Sequence, residues 1–159
     1  MIQLIEENLV RQNKALMLLF ILLEEEFSRL MQSNPQSVSQ IELSIQELMR
    51  QIAVERASLR RKVQQVSPGS DRVGELLESM DESRREAFEG LLGLLDDTQQ
   101  KCAVQAAKNH QMAMALFDQS KGLLDFMHNQ VKPKNTTSYA ATGQYAKVSS
   151  SARILTGRL

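Results

Sequence analysis

The sequence predicts an all-α protein: an antiparallel bundle of three long helices plus one short helix, with an extended or disordered C-terminal tail. Three observations predict it. Apolar residues recur at spacings of three and four through three long segments, and no segment alternates with a period of two. The three prolines, Pro35, Pro68 and Pro133, all fall between these segments, where a residue that lacks a backbone donor ends a helix.

The first helix is expected at about residues 2–33. Its stripe runs Ile2, Ile5, Leu9, Leu16, Leu19, Leu23 and Leu30, widened by Phe20, Phe27 and Met31. The run Ala15–Leu23 is apolar throughout, but nine residues are about half of what a membrane-spanning helix needs. Glutamates flank it on both sides and no small-residue cleavage site follows, so it reads as a buried helix segment.

The second helix is expected at about 38–66, with Ser37–Gln40 (SVSQ) as a capping box. Its stripe is Val38, Ile41, Ile45, Leu48, Ile52, Leu59, Val63 and Val66, and the turn signal SPGS (Ser67–Ser70) ends it. The short connection at Pro35 makes helices one and two antiparallel. Val73, Leu76, Leu77 and Met80 support a short helix at about 71–79.

The third helix, at about 82–131, opens with acids that suit the positive end of the helix dipole. Its stripe passes through Phe88, Leu91, Leu95, Cys102, Ala106, Asn109, Ala113, Leu116, Ser120, Leu123 and Met127. Between Thr98 and Ala115 that stripe holds small and polar residues where the first two helices hold Leu and Ile. One explanation is close helix packing. The other is a groove that accepts an amphipathic helix from another chain, which adaptable Met112 and Met114 would suit. The groove would be lined by Ala106, Asn109, Met112, Ala113, Leu116, Phe117, Ser120 and Leu124.

Residues 1–131 thus form a helical bundle domain and 132–159 a flexible basic tail with no acid after Asp125. At 159 residues the chain is about one domain, and a net charge of zero creates no overall pull toward nucleic acid or membrane. The lone Cys102 excludes an internal disulfide and suits a reducing, cytoplasmic setting.

Catalytic and cofactor signals are missing. His110 and His128 are five turns apart, Cys102 has no ligand partners at zinc spacing, and no glycine loop is built to cradle phosphate. The cations Arg56, Arg60, Arg61 and Lys62 complement a helix C-terminus and have no interleaved aromatics for base stacking. The expected protein is neither an enzyme nor a nucleic-acid binder, needs no cofactor or metal, and works by binding other proteins.

Both tyrosines lie in TSYAATGQYAK (137–147), inside the tail. Asn109 within KNHQMAMALFDQSKGLLDFM, a proline break, and then Tyr139 with Gly143-Gln144 resemble the FlgN family of flagellar export chaperones. The basic end, SARILTGRL, is similar to that family's tail. The resemblance implies binding of the helix-forming C-terminal segments of hook–filament junction proteins, and delivery to the cytoplasmic domain of the export gate. It also implies Tyr139, Gly143 and Gln144 as the gate-docking residues. Two other functions fit the residues: a self-associating coiled-coil protein, which includes a homodimer, and a peripheral membrane protein held by the basic tail without stable insertion.

Overall fold

A computed structural model describes residues 1–131, and beyond them the backbone of two short strands, Ser138–Tyr139 and Tyr145–Ala146. The order is α1 (Ile2–Met31), α2 (Pro35–Val66), a 3-10 helix (Val73–Ser79), α3 (Glu82–Val131), then β1 (Ser138–Tyr139) and β2 (Tyr145–Ala146). The all-α bundle is present. β1 and β2 pair antiparallel, with Ser138 opposite Ala146 and Tyr139 opposite Tyr145. The expected flexibility of the tail otherwise concerns positions outside the described residues.

The chain divides into two compact units, Met1–Met114 and Ala115–Leu159. In the first unit α1 and α2 are the closest-packed pair of helices. They run antiparallel: Asn8 of α1 meets Glu55 of α2, while Arg29 donates to the Ser37 carbonyl at the other end (2.8 Å). α3 runs parallel to α1, because Thr98, Cys102 and Asn109 meet Asn13, Leu16 and Leu23 in the same order.

Most of the α1 and α2 stripes are buried, each fully buried Leu or Ile contributing roughly 1.5–3 kcal/mol; Ile2, Phe20, Phe27, Val38, Leu59 and Val66 are half-buried, and Met31, expected in the α1 stripe, is 59% exposed. They form two apolar clusters. One gathers Ile5, Leu9, Val63, Val73, Leu76, Met80 and Phe88; the other gathers Leu16, Leu19, Leu23, Ile41, Ile45, Leu48, Ile52 and Cys102.

Two local expectations are corrected. α2 begins at Pro35 rather than near residue 38, and its cap is not the Ser37–Gln40 box. Asn34 caps it, its side-chain oxygen accepting from the Ser37 amide (3.2 Å). Proline at the first helical position loses nothing, because that amide has no helical acceptor. The short helix expected near 71–79 is present, wound as a 3-10 helix (Val73–Ser79), the tighter form that short connectors adopt. Finally, the small residues of α3 do not bring backbones together: Ala106 and Ala113 are exposed, and α3 stands farther from its neighbours than α1 does from α2.

The connections are conventional turns. α1 ends with Ser33 in the left-handed region (φ 53°), a position glycine usually fills. In SPGS, Gly69 takes φ 98° behind Pro68, and the Ser70 amide donates to the Ser67 carbonyl (3.1 Å), which is the type II turn pattern.

Candidate functional site

Along α3 the environment of the stripe changes. Up to Asn109 it is fastened to α1: the Thr98 hydroxyl donates to Asn13 Oδ1 (3.2 Å) and the Cys102 thiol to the Leu16 carbonyl (3.3 Å). Burial pushes the Cys102 thiol above its ordinary pKa, so it behaves as a small core residue. Asn109 is 4% exposed and its amide donates to the Leu23 carbonyl (2.8 Å) and to Glu26 Oε2 (2.6 Å). Gln105 in turn donates to Asn109 Oδ1 (3.0 Å).

Within Ala115–Val131 of the second unit, the side chains are almost all exposed. Phe117 is 63% exposed, Leu124 66%, Phe126 60% and Val131 64%. Phe117, Ser120, Leu124, Met127 and Val131 follow one another at spacings of three, four, three and four, so they share one helical face. Asp118, Lys121, Asp125 and His128 follow the same rhythm one step on and form a separate polar face. Exposed apolar side chains gathered on one helix face are a common feature of protein-binding surfaces.

The residues expected from sequence to line a groove therefore occupy different environments. Asn109 lies inside the contact with α1. Met112 and Leu116 are half-buried, while Ala106, Ala113, Phe117, Ser120 and Leu124 are exposed. Sequence reasoning left Phe126, Met127 and Val131 out of the lining, although Met127 stood in its stripe. Gly143 and Gln144 lie outside the described residues. For Tyr139 the backbone alone is described, paired with Tyr145.

Elsewhere the surface offers shallow openings. One of about 360 Å³ is lined by Gln3, Glu6, Glu7, Val10 and Arg11, and one of about 520 Å³ lies between α1 and α2 around Arg11, Lys14 and Glu55. Among the described residues no group of three or more His, Cys, Asp or Glu is placed to hold a metal ion, and no helix is long and apolar enough to cross a membrane.

An all-α bundle whose longest helix carries an exposed apolar face has the features of a helical protein-binding module. The chain belongs to the FlgN family, whose sequence profile, described as FlgN protein, matches residues 1–147. Membership supports a flagellar export chaperone role in general, in a non-enzymatic family that binds flagellar proteins. Comparison with curated proteins and with solved structures returned no significant match.

Proposed function

We propose that this chain is a cytoplasmic chaperone that binds the helix-forming C-terminal segments of hook–filament junction proteins and delivers them to the cytoplasmic domain of the flagellar export gate. The observation that carries the proposal is the apolar face of α3 through Phe117, Leu124, Met127 and Val131, exposed in a chain of this family. An amphipathic helix laid along that face would bury its own apolar stripe, the helix-in-groove mode of recognition. Tyr139, Gly143 and Gln144 are assigned to the gate. A tyrosine suits such a contact because its ring buries area while its hydroxyl forms a directional bond.

Calorimetric titration with a peptide of a junction protein's C-terminal segment tests the cargo half. Leu124→Asp should weaken binding by at least about tenfold, the equivalent of ~1.4 kcal/mol, while circular dichroism stays unchanged. Unchanged affinity in a well-folded variant would remove this face from the cargo site. Sedimentation of the free chain distinguishes cargo binding from a homodimer built on the same face: a monomer at all concentrations excludes the dimer.

A further inference from the structure

Along α1, where the apolar cluster of Ile5 and Leu9 gives way to that of Leu16, buried polar side chains intervene and bond to α2 and α3. On α1, Asn8 is 0% exposed, Gln12 2% and Asn13 8%; on α3, Thr98 is 7% exposed. Gln12 donates to Asn8 Oδ1 (2.6 Å), and Asn8 donates to Glu55 Oε2 (2.5 Å) and more weakly to the Glu55 carbonyl (3.3 Å) on α2. Thr98 divides its hydroxyl between Asn13 and the Leu94 carbonyl (2.7 Å). Among the described residues no buried side-chain polar atom lacks a partner. The layer is satisfied, yet it interrupts the apolar contact that would otherwise couple one cluster to the other.

The two sides of the layer are not equally sealed. The cluster of Ile5, Leu9, Val63, Val73, Leu76, Met80 and Phe88 is walled by all three long helices and by the 3-10 helix; five of these residues are at most 2% exposed, with Val73 at 6% and Met80 at 8%, whereas no member of the other cluster is below 3%. The Leu16–Ile52 cluster has α1, α2 and α3 alone, and its buried members reach 9%. There α3 contributes Cys102 and half-buried Leu95, and beyond Thr98 its hydrogen bonds to α1 are one from the Cys102 thiol and two from the Asn109 amide.

We infer that the bundle opens in two stages, hinged on the Asn8–Gln12–Asn13–Thr98 layer, with α3 around Cys102 parting from the Leu16–Ile52 half of α1 and α2 while the Ile5–Phe88 half stays closed. Local opening of this kind takes the elements with fewest buried apolar contacts first. The opening uncovers the Leu16, Leu19 and Leu23 stripe, a second apolar surface distinct from the end of α3. The inference does not rest on the proposed cargo.

Cys102, the single thiol of the chain, is a built-in reporter. Its labelling by a thiol reagent, followed at increasing urea below the unfolding transition, measures opening of its half. Val63→Cys in a Cys102→Ser background reports the other half, and Leu76→Cys replaces it if that variant fails to fold. Cys102 should label on the order of 10- to 100-fold faster than the second probe, with a weaker dependence on urea, as sub-global opening requires. Equal rates with equal urea slopes would mean one cooperative unit and would overturn the inference. Asn13→Leu with Thr98→Val joins the clusters and should slow Cys102 labelling toward the other probe. Unchanged labelling in that folded variant would show that the layer is not the hinge. Should the double variant fail to fold, hydrogen exchange of the unaltered chain decides: α3 amides of Thr98–Asn109 exchanging no faster than those of Phe88–Leu92 would equally overturn it.

Discussion

Asn109 of α3 and Glu26 of α1, 83 positions apart, are joined by a 2.6 Å hydrogen bond, and the same amide holds the Leu23 carbonyl. The bond is charge-assisted and close to the last buried point of α3, so it acts as a clasp. Asn109→Ala should cost about 1–3 kcal/mol in urea unfolding, the range for removing a buried partner from a charged acceptor. Asn109→Asp should cost more at neutral pH, because it faces the Glu26 carboxylate with a second one, and should recover part of the loss in acid.

Phe117 gives the opposite expectation. It is 63% exposed, so Phe117→Ala should leave the midpoint of unfolding within about 0.5 kcal/mol of wild type. Affinity for the junction-protein peptide should nevertheless fall by more than ~1 kcal/mol if the face of α3 is the cargo site. Titration and unfolding measured on the same sample separate a binding residue from a packing residue.

Glu47 predicts a pH effect. Arg50 donates to its carboxylate from Nε (2.9 Å) and Nη2 (2.7 Å), and Gln51 adds a third bond (3.0 Å). These bonds, Arg50 first, hold the Glu47 carboxyl at about 2, below its ordinary value of 4.5. A carboxylate depressed by folding stabilises fully above its ordinary value, and that stabilisation is lost as pH falls from about 4.5 toward about 2. The group is fully exposed, so the effect is small and salt screens it. An NMR titration should place Glu47 below the other glutamates, and Arg50→Ala should return it toward its ordinary value.

Tyr139 and Tyr145 are partners in the backbone register of the short strand pair, yet the proposal gives them different tasks. Tyr139→Ala should weaken binding of the chaperone–cargo complex to the export gate by more than ~1 kcal/mol and leave cargo affinity intact. Tyr145→Ala should do neither. Equal losses from both would indicate a diffuse tail contact, and Tyr139→Phe separates the ring from the hydroxyl.

Most of the fold was legible because burial in α1 and α2 follows helical spacing: Ile5, Leu9, Leu16, Leu19, Leu23 and Leu30 are all buried. Asn8, Gln12 and Asn13 were not legible, since a polar residue reads as surface until a partner such as Glu55 or Thr98 is known to reach it. The α2 start was missed because two caps competed, and Asn34 followed by proline outranked Ser37. The candidate site was legible in part. The stripe placed Leu116 and Met127 on one face, but spacing alone does not say where cover ends. A clue lay in length: α3 has 50 residues against 30 for α1 and 32 for α2, more stripe than either can match. The burial of Asn109 was not legible for the same reason as that of Asn8, since its partners lie on another helix.

The exposed end of α3 has a calorimetric consequence. Helix held by packing melts with its core, whereas helix held by local preference frays gradually, because each short stretch gains too little to act all-or-none. From Ala115 to Val131 the apolar side chains are largely uncovered, and Gly122 weakens the segment by about 1 kcal/mol relative to alanine. Heating should therefore erode ellipticity at 222 nm on a slope well before the bundle's sharp transition, while the heat absorbed follows the transition alone. A bound cargo helix should flatten that slope and move its ellipticity into the cooperative step.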